Sequence, residues 1–140
     1  MKNPESKKII DISAFQITVG EDEIVRANVK DHVTVDLKSA IEITDTLRKI
    51  SPDSPRPLLI HLGKISYISK EARDHFGEKR QPTASAIALI AKTSLSMFIG
   101  NFYLHMNKPS LPTRLFKGEQ KAIRWLKKFV TTQQRYVFNI

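Results

Sequence analysis

Cysteine is absent from these 140 residues, which excludes disulfides, thiolate nucleophiles and thiolate-held metals. Glycine is scarce, five in all, and none sits in a glycine-rich phosphate loop. HExxH and GxSxG signatures are missing, as is any Asp/Glu cluster in metal spacing. No enzyme activity, cofactor or metal is therefore expected. The amino terminus, MKNPESKK, has no apolar h-region, so the expectation is a cytoplasmic protein. Long apolar runs are few as well. Residues 84–106 carry a single formal charge, Lys92, but three Ser, a Thr and an Asn interrupt them. The break at Lys92-Thr93-Ser94 reads as a strand end followed by a helix cap, so a strand and then a helix are expected rather than a membrane span.

What is abundant is positive charge. Lys and Arg number 23 against 14 Asp and Glu, and +8 of the net +9 falls in residues 71–140. Such a field attracts anionic partners of any class. At this length one domain is expected over 1–140, with a core at about 14–130 and two tails, burying about 68% of its unfolded surface. Prolines punctuate that domain in groups at Pro52, Pro55 and Pro57, at Pro82, and at Pro109 and Pro112.

Between the prolines the hydrophobic periods alternate. Residues 14–19 and 24–29 read as strands of an antiparallel hairpin joined by Gly20-Glu21-Asp22-Glu23. Leu37, Ala40, Ile41, Thr44, Leu47 and Ile50 recur at helical spacing, with Asp36 or Thr34 as cap. LLIHL at 58–62 predicts a buried strand, followed by a helix from about Ser69 to Lys79. SAIALIA at 85–91 fits a central parallel strand covered on both faces. A third helix is expected over about Thr93 to Asn107, a short strand at TRLF (113–116), and a fourth helix from about Gly118 to Val130. The order predicts an α/β fold: a mixed sheet, mainly parallel, with an N-terminal β-hairpin and four helices.

This order, with "LLIHLGKISYISKEA" at strand, loop and helix, resembles the STAS domain of anti-sigma-factor antagonists. The stretch "IGNFYLHMNKPSLPTRLFKGEQKAIRWLKKF" is similar to small bacterial STAS-like proteins of uncharacterised function. The resemblance spans about residues 14–130 and implies a STAS-like regulatory module. In its phospho-switch members the loop ends in Asp-Ser; here Ser69 occupies the Asp position and Lys70 the Ser position, so the acceptor hydroxyl is missing. Ser69 and Lys70 remain the candidate switch-loop residues, with helix capping the favoured role of Ser69 and Glu71 favoured by the macrodipole in the first turn.

Four further features bear on function. His61, between apolar neighbours on a presumed central strand, is expected to be a hydrogen-bonded structural residue. His75 stands four residues after Glu71, which predicts an exposed side-chain pair. Lys117, Lys121, Arg124 and Lys128 form one basic stripe opposite Ala122, Leu126, Phe129 and Val130. A solvated face is expected, because only Trp125 offers an aromatic for stacking and a nucleic-acid site would need several. Helix three is different: Leu95, Phe98, Phe102 and Met106 make one apolar face, while Met97, Ile99, Tyr103 and Leu104 carry it around much of the circumference. Either the helix is deeply buried or something covers it, which makes Met97, Phe98, Phe102, Tyr103 and Met106 a candidate partner surface. The chain is thus expected to bind a protein partner or a second copy of itself. The alternative is a carrier of an apolar or anionic small ligand.

Overall fold

In the computed structural model the described residues are 8–78 and 82–130. Their strands are β1 (Ile10–Asp11), β2 (Phe15–Val19), β3 (Val25–Val29), β4 (Thr34–Val35), β5 (Leu58–His61), β6 (Tyr67–Ile68), β7 (Ile87–Ile90) and β8 (Thr113–Phe116). The helices are α1 (Leu37–Ile50), α2 (Lys70–Phe76), α3 (Ser94–Asn107) and α4 (Glu119–Leu126). Six strands form one sheet in the order β1-β2-β3-β5-β7-β8, antiparallel at β1-β2 and β2-β3 and parallel thereafter. The expected hairpin and parallel strands are all present. The two-residue strands β1, β4 and β6 were not anticipated, and β4 and β6 pair with each other as a separate parallel ribbon, Thr34 beside Tyr67 and Val35 beside Ile68. Two residues are too few to establish a period, so these strands leave no pattern to read.

Alternation along the central strands assigns each side chain to a layer. Leu58 and Leu89 face a large core shared with α1, α2 and α3, whereas Leu59, Ala88 and Ile90 face a smaller one closed by Ala122 and Leu126 of α4. Among the described residues, three helices therefore cover one face of the sheet and α4 alone covers part of the other. On β2 and β3 the outer positions Gln16 and Asn28 stay in water, matching a face that no helix reaches.

Caps and turns fix the boundaries. Asp36 accepts from Ser39 N at 2.9 Å to start α1, and Thr93 with Ser96 forms a reciprocal capping box on α3. α2 stops at Phe76 with Gly77 as its C-cap, short of the expected Lys79, which lies outside the described residues. α4 ends at Leu126 rather than Val130, tightening into a 3-10 turn over Lys127–Phe129. Gly63, just after β5, has a φ of +53°, a conformation that Gly adopts without the steric cost other residues meet.

A charged strut ties the hairpin to α1. The buried carboxylate of Glu23 takes a 2.6 Å hydrogen bond from Arg56 Nε, and the same guanidinium donates to Ile50 O at 3.0 Å and Ser51 Oγ at 2.7 Å. Burial of an unpaired carboxylate is costly, so the arginine in the proline-rich segment is what allows Glu23 its inward position.

Candidate functional site

α3 has two unlike sides. Ser96, Ile99, Gly100 and Tyr103 turn inward and are buried. Leu95, Phe98 and Met106 turn outward at 53%, 66% and 64% exposure, and Phe102 lies half-buried beside them with its ring stacked 6.1 Å from that of Phe98. The candidate partner surface is corrected accordingly. Tyr103 belongs to the core, Met97 packs against it, and Leu95 joins the outer row instead. Residues 95, 98, 102 and 106 follow the three-and-four spacing of one helix face, but apolar residues on both sides left the sequence unable to say which side was inside.

The outer row continues onto neighbouring elements through Arg73. Only 8% exposed, the Arg73 side chain lies 4.8 Å from the Phe102 ring centre and 6.0 Å from that of Tyr67. Its Nη1 donates to Ile68 O at 2.9 Å and more weakly to Tyr67 Oη at 3.4 Å. Aromatic faces and a carbonyl thus hold this cation, and no carboxylate among the described residues pairs with it. Ser69 and Lys70 lie between Tyr67 and Arg73 in the chain, so the switch-loop position is next in sequence to the residues that border Phe102. Ser69 Oγ accepts from Ala72 N at 3.1 Å, the capping role expected of it. Lys70 extends to Asp74 Oδ2 at 2.8 Å; that bond raises the ammonium pKa and draws the carboxyl below its ordinary range.

The inner side of α3 borders a cavity of about 300 Å³ between the sheet and the three helices. Its walls include the apolar Val29, Val35, Ile43, Leu58, Ile60 and Leu89, and polar residues, among them Thr44, Arg48 and Glu78, complete the lining. Gly100 allows α3 to lie close to β8, since a Cβ there would come within 2.9 Å of Leu115 Cδ1. Two polar groups reach the cavity from inside. Tyr103, buried with no hydrogen bond among the described residues, has its pKa pushed up by burial to about 12. His75 faces α1, with Nε2 2.9 Å from Thr44 Oγ1. The Thr44 hydroxyl also lies 3.1 Å from the carbonyls of Ala40 and Ile41, to which it donates its one proton, and this leaves it to accept from His75 Nε2–H. The exposed Glu71–His75 pair is thereby corrected: the ring serves the α1–α2 seam.

The remaining candidates lie apart from this region. His61 is half-buried, with Nε2 3.8 Å from Glu119 Oε1, beyond hydrogen-bond reach, so the expected bonded structural role is not the one found. Lys117, Lys121, Arg124 and Lys128 are all exposed on the opposite side of the sheet, the solvated stripe anticipated. Trp125 packs between Phe116, ring centres 5.7 Å apart, and Phe129 at 5.0 Å. Among the described residues no group of three His, Asp or Glu is placed to hold a metal ion, and no helix is long and apolar enough to cross a membrane.

Sheet order, hairpin and helix placement define an α/β domain with the STAS-like, SpoIIAA-like fold. The chain is similar to an uncharacterized DUF3478-family protein with a SpoIIAA-like fold from Shewanella loihica PV-4, at TM-score 0.53 and 13% identity over 86% of this chain and 92% of that one. It is also similar to the anti-sigma factor antagonist SpoIIAA in its unphosphorylated form, at TM-score 0.48 and 11% identity over 87% and 98% of the two chains. An anti-sigma factor antagonist from Mycobacterium paratuberculosis gives TM-score 0.44 and 14% identity over 91% and 99%. The chain belongs to the family described as a domain of unknown function, DUF7793, whose model matches residues 17–130. No curated protein matches the chain.

Proposed function

We propose that this domain is a non-catalytic regulatory module that works by binding another protein on the outer face of α3. One observation carries the reading: Leu95, Phe98 and Met106 stand in water in one row, on a helix whose other side is already buried. Full burial of a large apolar side chain is worth roughly 1.5–3 kcal/mol, so a row of three left exposed is a surface suited to being covered. Arg73, Phe102 and Tyr67 extend the row toward the chain segment that holds Ser69. Lys70 stands where the phospho-switch members carry serine, so regulation by this module rests on binding without that serine switch.

Phe98→Asp tests the reading, because an exposed side chain can be changed without disturbing the core. The purified chain and the variant are used as equal baits in an extract of the native source, and both are also run by sedimentation velocity. A stoichiometric protein retained by the wild type and lost by the variant is the expected result. A dimer abolished by Phe98→Asp would assign the face to a second copy. A monomer whose retained proteins are the same with either bait would overturn the proposal.

A further inference from the structure

The interior cavity points to a second binding activity, separate from the outer face of α3. We propose that it holds a small monocarboxylate with an apolar body. Its volume of about 300 Å³ is room for about ten waters, and the Val, Ile and Leu part of its lining offers water few of the two to four polar partners it needs. A hydrocarbon chain meets those walls without loss, and a volume of this size suits a chain of about ten carbons.

The polar lining holds one arginine, Arg48, and one carboxylate, the exposed Glu78, so the ligand's charge has to be seated at Arg48. Tyr103, a buried residue without a hydrogen bond among the described residues, lines the cavity from α3. Arg48, partly exposed on the last turn of α1, also lines it, as do Thr83 and Ser110. The Arg48 guanidinium contacts Asp45 Oδ1 through Nη1 at 3.1 Å, and its other N–H groups have no partner among the described residues. An arginine fork presents five donors, so one carboxylate at the rim can be held beside Asp45. The positive charge of the chain favours the anionic form of the ligand.

Decanoate and its neutral analogue decanol are the probes. Calorimetric titration of the purified chain is expected to show one saturable decanoate site, with a rise in melting temperature. Arg48→Gln should weaken decanoate by about tenfold, the loss of a charge-assisted hydrogen bond, and leave decanol little changed. Ile60→Phe, which fills the cavity from β5, should abolish decanoate binding while the circular dichroism stays native. Leu111→Trp fills it from the rim should the first variant fail to fold. Absence of saturable decanoate binding, decanoate binding undiminished in both filled variants, or decanol bound as tightly as decanoate would each overturn the proposal.

Discussion

At Ser69 a short-range rule was sufficient: a serine, an acidic residue two positions on, and an apolar strand behind it announce a helix cap, and the 3.1 Å bond to Ala72 N is that cap. Ser69→Ala is expected to lower stability by about 1 kcal/mol in urea melts, with the fold and partner binding intact. Arg56 and Glu23 were illegible by comparison, because 33 residues separate them and neither has a local pattern that demands the other. Arg56→Met leaves the buried Glu23 carboxylate without its cation, and a loss of about 3 kcal/mol is expected by chemical denaturation. Tyr103 was visible as apolar helix but not as core. Its hydroxyl keeps its proton in the fold to about pH 12, whereas the unfolded chain releases it near 10, so stability falls as pH rises through that window. Urea melts at pH 8 and pH 11 should show the wild type losing more stability than Tyr103→Phe, by about 1 kcal/mol at pH 11, midway through the window.

Among the elements, those whose period and caps agree were readable almost to the residue. TRLF emerged as β8 and the Leu37 to Ile50 pattern as α1. α2 and α4 were overrun at their C-termini, where Gly77 closes one and a 3-10 turn closes the other while the apolar spacing continues. Among the described residues α4 is also the only helix on its side of the sheet, fixed there chiefly by Ala122 and the fully buried Leu126. Leu126→Ala should cost about 3 kcal/mol. The single tryptophan of the chain, Trp125, sits on α4, so a red-shifted fluorescence under mild denaturant should report loosening of this helix before the larger core opens.

Over the molecule as a whole, the alternation of strands and helices was enough to predict an α/β sheet with a leading hairpin, because parallel strands need long crossovers and the sequence supplies them. The meeting of Arg73 with Phe102 and Tyr67 was not legible, since it depends on how α2, α3 and the β4–β6 ribbon pack. The cavity was less legible still: it is space left between residues from nine elements and the loops beside them, most of which read as ordinary core. Hydrostatic pressure acts on that space directly. Unfolding of a small protein typically contracts the system by about 20–100 mL/mol, and the contraction grows with the internal void that is lost. The ligand-free domain should therefore unfold at a lower midpoint pressure than Ile60→Phe, with Trp125 emission as the readout. Adding a molecule that fills the space should harden the wild type toward the variant, so that compressibility becomes a measure of occupancy.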